Sequence, residues 1–387
     1  MPALLLTVFV DLIGFGIVLP LQPFYAQAFG ASPGTVTLVA ASYTAAQFAF
    51  APVWGRVSDR IGRKPVLLAT SFGACLAYVW LAHTDTLEGL FLARAFGGIM
   101  AGNIGVAHAY VADVVPAHRR AGAMGRVGAA AGLGFVVGPA IGGLLAGPDP
   151  LRADFASPFL FAGAIAALAF VLTAILLRES ADGGQRARAR AASSGRMWRR
   201  VREAGIAPLL LLVFSSPFVF AGIETVFALW SEARFGWGPT RNGYMYTFMG
   251  AVAVLVQGVA VGPITRRAGE RLTVAAGMGM TMTGCLILPA AAGTPGVMLG
   301  LGLLVAGVSV CGPSLSSLIS QRAQSHERGT LMGISQSSAG LGRILGPALS
   351  GSIFAGLGHD WPFLLGAAVM CAAAALAVGL ALRHRAS

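Results

Sequence analysis

Apolar stretches of about 20 residues follow one another along nearly the whole chain, and they limit the possible folds more than any other feature. A helix needs about 20 mainly apolar residues to cross a bilayer. The sequence therefore predicts an all-α membrane protein with twelve transmembrane helices. The predicted spans are residues 2–27, 36–57, 65–82, 87–112, 121–146, 157–177, 206–230, 240–262, 271–291, 295–318, 329–356 and 362–382.

Few side chains carry a charge, and this excludes an ordinary water-soluble protein. Charged residues make up 11% of the 387-residue chain, whereas a soluble domain carries about 25%. Most of the protein surface must therefore face lipid. The 53 glycines agree with this conclusion, because helices in lipid associate through close packing of small residues.

The net charge of +12 comes from cations that gather in alternate connections between the predicted helices. Most of the 27 lysines and arginines lie in connections on one side or in the C-terminal tail, and only Arg152, Arg234 and Arg241 lie in connections on the other. Because lysine and arginine are enriched on the cytoplasmic side of membrane proteins, we predict that both termini are cytoplasmic. The charge is therefore a sign of topology, and no nucleic-acid partner is expected.

The second half of the chain repeats the first. The segment AGLGFVVGPA at 131–140 returns as AGLGRILGPA at 339–348. A weaker copy, GPITRRAGER at 262–271, follows the segment GRVSDRIGRK at 55–64. Parallel repeats of this kind are a known plan of membrane proteins.

The longest polar stretch separates the two repeats. Residues 178–205 are rich in Arg, Ala, Ser and Gly, and we predict a solvated cytoplasmic linker there. A short surface helix within it is the alternative. The predicted domains are thus a six-helix bundle at 1–177 and a pseudo-symmetric six-helix bundle at 206–387.

No sequence feature indicates an enzyme. The chain contains no GxxxxGK[ST] motif for nucleotide phosphates, no zinc signature and no credible catalytic triad. Its cysteines stand singly in apolar stretches without metal-ligand spacing, so we interpret them as small buried side chains. They are Cys75, Cys285, Cys311 and Cys371. We expect no metal and no cofactor.

Three segments resemble motifs of the major facilitator superfamily, in particular its twelve-helix drug/proton antiporter branch. They are the loop at 55–64, the helix 4 segment RAFGGIMAG at 94–102 and the helix 5 segment GFVVGPAIGG at 134–143. The resemblance covers nearly the whole chain. It implies the major facilitator fold, an inner-membrane location and proton-coupled efflux of small amphipathic compounds or drugs by alternating access.

Two further acids, Asp11 and Asp113, stand in segments that are similar to tetracycline/proton antiporters. Those antiporters carry another acid in helix 9, whereas the predicted span 271–291 has none after Glu270. This departure puts tetracycline itself in doubt as the substrate.

The resemblance predicts a charged gate formed by Asp59, Arg60, Arg63 and Asp113. Asp59 and Arg63 are four residues apart and share a face if the segment is helical, and Asp113 ends helix 4 on the same side. We expect this network to latch the two halves when the protein faces outward. An ordinary cluster of surface charges is the alternative, and it would contribute little.

Four residues are candidates for proton coupling: Asp11, Arg94, His108 and Glu224. An ionisable side chain inside a membrane is costly and marks a functional site by default, and histidine titrates near neutral pH. Counting from the helix ends leaves open whether Arg94 pairs with Asp11, binds carbonyls of helix 1 or acts through water. A helix-end aspartate and a packing histidine are the alternatives.

A cavity between the halves is the expected place for a small-molecule substrate. The candidate lining residues are Gln22, Gln47, Asn103, Phe227, Tyr244, Tyr246, Gln257 and Arg343. Each of them, taken alone, is more often a packing residue than a ligand contact. For Arg343 the sequence leaves open a structural pair with Glu224 or a contact with an anionic group of the substrate.

The glycine-proline pairs of the repeat are interpreted structurally. Gly138 and Pro139 in helix 5 match Gly346 and Pro347 in helix 11. Glycines spaced by four let neighbouring helices approach closely, and proline bends a helix. We predict that these residues act as hinges that let one half rock on the other.

The sequence keeps two other functions open. One is an exporter or importer of an anionic metabolite or lipid with the same fold, which Arg343 motivates. The other is a sensor without transport activity, which would need a larger cytoplasmic domain than the linker offers. In each case we expect a monomer in the bilayer.

Overall fold

The computed structural model describes residues 2–180, 206–322 and 328–385, which form helices with short connections. None of these three ranges contains a β-strand, and the predicted all-α fold is confirmed. Only residues 178–180 of the predicted linker are described, so the surface helix considered for the rest of it lies outside the described residues.

Eight α-helices precede the linker. They are α1 (Pro2–Val18), α2 (Gln22–Ala28), α3 (Pro33–Ile61), α4 (Arg63–His83), α5 (Leu87–Met100), α6 (Asn103–Val114), α7 (Ala117–Ala146) and α8 (Ala156–Leu176). Helix α1 packs against α7 and α8, α4 packs against α8, and α3 packs against α5. Buried apolar side chains such as Leu67, Val111 and Val127 fill the space between them.

Two of the predicted spans are broken. The first bends by 42° between α1 and α2, where Pro23 stands in the first turn of α2. The fourth divides into α5 and α6 at Ala101 and Gly102. A break leaves backbone groups without their helical partners, and α3 supplies replacements. The indole Nε1 of Trp54 donates to the Ile99 carbonyl at 2.5 Å, and the Nε2 of Gln47 donates to the Ala101 carbonyl at 3.2 Å.

Six α-helices follow the linker. They are α9 (Ala207–Phe235), α10 (Pro239–Leu255), α11 (Val261–Ala290), α12 (Thr294–Arg322), α13 (Arg328–Leu357) and α14 (Trp361–Arg385), with a π-helical turn at Val256–Ala260. Helix α11 packs against α12 and α14. Glycines permit the first of these contacts, because a Cβ on Gly307 would collide with the carbonyl of Gly277.

Length and composition alone confirm fewer spans than the twelve predicted. Nine helical stretches of the described residues are long and apolar enough to cross a membrane, or ten if α1 and α2 form one bent span. The stretch Pro239–Ala290 runs for 52 residues and covers two predicted spans. Helix α13 is not among the nine; it is rich in serine and glycine and contains Arg343.

The described residues divide into two compact units. One contains the residues up to 180 together with Ser231–Gly250, and the other contains 206 to Trp230 together with the residues from Ala251 onward. Helices α9 and α10 therefore contribute to both units. The grouping of Ser231–Gly250 with the first unit was not anticipated from the sequence, and the boundaries at 177 and 206 stay a prediction.

Candidate functional site

Three of the four residues predicted to form the charged gate meet where α3 ends and α4 begins. Arg63 opens α4, and its Nη1 lies 2.6 Å from the Oδ1 of Asp59. Its Nε lies 2.9 Å from the Oδ2 of Asp113 at the end of α6. The Arg63 and Asp113 side chains are only 11% and 7% exposed. A charge-assisted contact with so little solvent is stronger than an ordinary surface ion pair.

Arg60 does not join this network. Arg60 is exposed, and it takes part in neither of the two ion pairs that Arg63 forms with Asp59 and Asp113. Ser58 takes a place in the network instead, because it is fully buried and its hydroxyl accepts from the Nη1 of Arg63 at 2.5 Å. The geometry predicted for Asp59, Arg63 and Asp113 is present, and the latch function stays a prediction.

Glu179 also belongs to this cluster, although the sequence assigned it to the linker. Its carboxylate accepts from the backbone N–H of Arg63 at 2.8 Å and of Lys64 at 3.2 Å. The first N–H groups of a helix lack intrahelical partners and favour an anion. Glu179 thus caps α4 next to Arg63. An acid directly after a span in an otherwise basic segment was the available signal.

A second site in the first unit surrounds Arg94 of α5. Arg94 is 4% exposed, and its guanidinium lies 4.3 Å from the ring centroid of Tyr43 on α3. The Tyr43 ring also contacts Phe15 of α1, with 5.3 Å between the ring centroids. A cation over an aromatic face is stabilised by the ring quadrupole. The Nε of Arg94 has no hydrogen-bond partner among the described residues.

Asp11 faces the same group of aromatic side chains. It lies close enough to Tyr43 and Tyr78 to interact electrostatically with both phenols. Arg94 acts on the same two phenols. The hydroxyl of Tyr78 also lies against Gly14 of α1, where a Cβ would be 2.8 Å away. The structure therefore brings Asp11 and Arg94 into one cluster around Tyr43 and Tyr78, with opposite charges on α1 and α5.

The other predicted residues of the first unit occupy different settings. His108 is half-buried on α6, beyond the break from Arg94. Gln47 binds the carbonyl of the broken helix, and Gln22 is buried at the start of α2. The side chain of Asn103 lies outside the described residues. Proton relay through His108 and substrate contact by the two glutamines stay predictions.

In the second unit Glu224 and Arg343 are neighbours. Glu224 on α9 and Arg343 on α13 lie close enough for their charges to interact. Glycines bring the two helices together, since a Cβ on Gly342 would lie 2.5 Å from the carbonyl of Phe214 and a Cβ on Gly346 would collide with that of Phe218. The Arg343 side chain is exposed and Glu224 is half-buried.

The remaining substrate candidates fall into buried and exposed groups. Phe227 is fully buried and contacts Trp230, with 6.0 Å between ring centroids. Tyr246 is 1% exposed, whereas Tyr244 is 47% exposed. Gln257 is exposed on the π-helical turn, a feature that is frequent at functional sites. Phe227 and Tyr246 are thus packed inside the protein, whereas Tyr244 and Gln257 are exposed. Substrate contact by these four residues stays a prediction.

The glycine-proline pairs lie at close helix crossings. A Cβ on Gly138 would be 2.5 Å from the carbonyl of Ile13, so α7 touches the backbone of α1. Pro139 contacts Gly16, where a Cβ would be 2.9 Å from the Pro139 Cδ. Gly346 and Pro347 stand at the equivalent crossing of α13 with α9. The predicted close approach is confirmed, and the hinge function stays a prediction.

Comparisons with known proteins agree with this arrangement. The family model of the Major Facilitator Superfamily matches residues 4–347 and 261–387. Tetracycline resistance protein, class C, of Escherichia coli is 32% identical over 94% of this chain and 92% of its own length. Multidrug resistance protein 2 of Bacillus subtilis (strain 168) is 29% identical over 95% of this chain and 91% of its own.

The fold matches solved structures over nearly the full length. A bacterial homologue of the human lysosomal transporter Spinster superposes with a TM-score of 0.81 over 98% of this chain and 96% of that chain. The two sequences are 16% identical, so this match concerns the fold alone.

Proposed function

Because the chain belongs to the Major Facilitator Superfamily, we propose that it exports small amphipathic compounds or drugs in exchange for protons. It is a multi-pass membrane transporter and not an enzyme. Transport of this kind proceeds by alternating access, in which one substrate site opens in turn to each side of the membrane. Relatives named for tetracycline and multidrug resistance, similar over more than nine tenths of this chain, support efflux of drug-like compounds.

The cluster of Asp11 and Arg94 carries the proposal of proton coupling. A guanidinium keeps its charge, whereas a carboxyl group loses its charge when it binds a proton. Protonation of Asp11 therefore leaves the positive charge of Arg94 without the opposing charge of the carboxylate. Such a change of local charge favours one arrangement of the helices over another. In the transport cycle Asp11 takes a proton from outside and releases it to the cytoplasm.

Glu224 and Arg343 give the second unit a comparable charge pair. Intramembrane acids in transporters mark proton or substrate pathways, so Glu224 is a second proton-coupling candidate. Arg343 balances the charge of Glu224 when that side chain is ionised. The protein resides in the inner membrane as a monomer. Both termini lie on the cytoplasmic side, because lysine and arginine are enriched in cytoplasmic connections.

Everted membrane vesicles provide the test. Ethidium and tetracycline serve as probe compounds, and a pH-sensitive dye inside the acidified vesicles reports the protons that leave when a probe enters. We expect Asp11→Asn to abolish this probe-driven proton flux. The matched control is Asp85→Asn, which changes an exposed acid in the connection between α4 and α5. Full proton flux in Asp11→Asn would refute the role of Asp11.

The position of Arg343 beside Glu224, in a residue with part of its surface exposed, favours a second candidate, transport of an anionic metabolite or lipid. An arginine near a transport pathway binds carboxylate and phosphate groups well. If the natural substrate is anionic, Arg343→Gln will lower transport of anionic probes at least tenfold while cationic probes are unaffected. Equal effects on both kinds of probe would assign Arg343 to the pair with Glu224 and exclude this candidate.

A further inference from the structure

The aromatic ring of Tyr43 contacts both α1 and the buried cation of α5. The guanidinium carbon of Arg94 lies 4.3 Å from the ring centroid, which is well inside the range of about 6 Å for a cation–π interaction. On the side of α1 the ring contacts Phe15, with 5.3 Å between the centroids and an angle of 35° between the planes. Tyr43 therefore connects the helix of Asp11 with the helix of Arg94.

Two glycines of α5 fix the place of Tyr43. A Cβ on Gly98 would collide with the backbone carbonyl of Tyr43, and a Cβ on Gly97 would lie 3.7 Å from the Cε2 of its ring. Arg94 precedes these glycines by three and four residues, a spacing that places all three on one face of a helix. The close approach of α3 to α5 therefore holds the Tyr43 ring where the Arg94 side chain covers it.

The ring offers Arg94 a stabilising contact that does not change when Asp11 is protonated. Arg94 is 4% exposed, and its Nε has no hydrogen-bond partner among the described residues. Burial of an ion is costly unless other groups compensate its charge. The Asp11 carboxyl group loses its charge when it binds a proton, whereas the ring keeps its negative face. Tyr43 can therefore stabilise the guanidinium in both protonation states of Asp11.

The ionisable groups around this cluster are few. Tyr78 of α4 interacts electrostatically with Asp11, Tyr43 and Arg94. Helices α3, α4 and α5 carry their other charged residues near their ends. Helix α8 has no ionisable side chain, and α7 meets α1 at glycines that follow the last of its own. On α6, His108 is half-buried beyond the break. The other two ionisable residues of α6, Tyr110 and Asp113, bind the Arg178 carbonyl and Arg63.

We propose that Tyr43 is a positioning residue of the proton site, and that its ring holds the guanidinium of Arg94 next to Asp11 while the carboxyl group gains and loses its proton. The proposal rests on the proton coupling through Asp11 proposed above. A neighbouring cation favours the ionised carboxylate and hence release of the proton. A guanidinium that left this place after protonation of Asp11 would have to return first. The ring prevents this and keeps one cation beside the carboxyl group throughout the transport cycle.

A double-mutant cycle tests the contact between the ring and the guanidinium. The melting temperatures of Tyr43→Leu, Arg94→Gln and the double variant are measured on the full-length protein in detergent. We expect the effect of Tyr43→Leu to be about halved or smaller in Arg94→Gln, because the contact is already absent there. An equal effect of Tyr43→Leu in both backgrounds would overturn the proposal. This measurement does not depend on the substrate or on which acid carries the proton.

The pH profile of probe-driven proton flux in everted vesicles tests the role at the proton site. Tyr43→Phe keeps the ring and should stay within about twofold of the unchanged protein, because either ring presents its face to the cation. Tyr43→Leu should lower the flux about tenfold or more at neutral pH, since a desolvated cation–π contact is strong enough for such an effect.

Tyr43→Leu should also move the profile to higher pH. A carboxylate that loses a neighbouring cation binds its proton more tightly, and a tenfold change in this affinity moves the profile by about one unit. A purely structural defect lowers the rate and leaves the profile in place. An unmoved profile in Tyr43→Leu would therefore contradict the proposal, whatever the rate. Should Tyr43→Leu not fold, Tyr43→Met replaces it, because the flexible methionine side chain fills irregular spaces.

Phe72→Leu is the matched control. It removes an aromatic ring of α4 that is 52% exposed and contacts Phe170, with 5.8 Å between the centroids. It should leave the rate and the pH profile unchanged, and an equal shift in Phe72→Leu would reduce the effect of Tyr43→Leu to the unspecific loss of a ring. Asp11→Asn separates the two proposals. Full flux in Asp11→Asn refutes Asp11 as the proton carrier, whereas lost flux there with an unmoved profile in Tyr43→Leu refutes the role of Tyr43 alone.

Discussion

Gly62 and Gly269 hold equivalent places in the two repeats, and both have positive φ angles, 101° and 76°. Their surroundings differ. A Cβ on Gly62 would lie 2.7 Å from the Cδ of Glu179, whereas nothing lies within 4 Å of a Cβ on Gly269. The same backbone turn is therefore filled by a capping carboxylate in the first unit and open in the second.

This difference predicts unequal effects of alanine at the two glycines. The ψ angles are 164° at Gly62 and 158° at Gly269, and with positive φ this backbone conformation costs an L-residue about 1–3 kcal/mol. Gly269→Ala should therefore lower the melting temperature by a few degrees. Gly62→Ala introduces the same backbone strain and also displaces Glu179 from the start of α4. It should therefore lower the melting temperature clearly more than Gly269→Ala does. Thermal unfolding in detergent measures both. Gly55→Ala, at a helical position with open space, is the control and should leave the melting temperature unchanged or raise it.

The Arg63 network predicts a strong effect of neutral substitutions on transport. Asp113→Asn removes one of the two carboxylates that pair with the nearly buried guanidinium of Arg63, and charge-assisted hydrogen bonds contribute about 1.5–3 kcal/mol each. If the network latches one state, a loss of this size shifts the equilibrium between states about tenfold or more. We expect Asp59→Asn and Asp113→Asn to lower the transport rate by at least that factor at equal protein level.

Arg56→Gln provides the comparison for these variants. Arg56 is an exposed cation in the same segment and has no part in the ion pairs of Arg63 with Asp59 and Asp113, so its variant should transport normally. If Asp113→Asn transports at the wild-type rate at equal protein level, the latch hypothesis is wrong. Arg63 and Asp113 would then form only a local ion pair.

The crossing of α1 and α7 predicts that Gly138 tolerates no larger residue. An alanine Cβ would sit 2.5 Å from the carbonyl of Ile13, and overpacking of this kind costs about 1–3 kcal/mol or more. Gly138→Ala should therefore reduce the yield of folded protein sharply. Gly128→Ala on the same helix meets nothing within 4 Å and should be neutral or stabilising, because alanine favours helices. Normal yield and stability of Gly138→Ala would show that the helices are not in backbone contact.

The break between α5 and α6 predicts a structural role for two side chains of α3. Trp54→Phe removes the donor to Ile99, and Gln47→Leu removes the donor to Ala101. Each lost hydrogen bond should lower the free energy of unfolding by about 1 kcal/mol. If Gln47 instead binds substrate, Gln47→Leu will raise the KM for some compounds and leave thermal stability unchanged. Stability and KM measured on the same preparation separate these outcomes.

The sequence predicted the fold class well because lipid imposes a simple rule on length and polarity. The repeat and the motif around Arg63 also led to a correct grouping of Asp59, Arg63 and Asp113. Both signals depend on the order of residues along the chain, which sequence patterns record directly. The close approach at Gly138 followed from glycine spacing in the same way.

What the sequence did not predict depends on contacts between distant residues. Glu179 caps a helix that begins more than a hundred positions earlier. Its place as an acid in a basic segment marks it as unusual, but it does not indicate which helix it caps. The break at Ala101 lies in an unbroken apolar stretch, so hydropathy continues across it. Arg60 lies in the same charged segment as Arg63, but its side chain is exposed. The sequence does not show which of the two arginines pairs with the acids, and the structure does.

The backbone contact between α1 and α7 has a mechanical consequence. Side chains at an ordinary interface can change rotamer and let two helices slide, but Gly16 and Gly138 have no rotamers to change. For α1 to slide along α7, the contact would have to move from one glycine to the next. That distance is about one helical turn, or 5.4 Å. Helices α1 and α7 should therefore move together as one rigid body. A compound bound between them would block the motion of both.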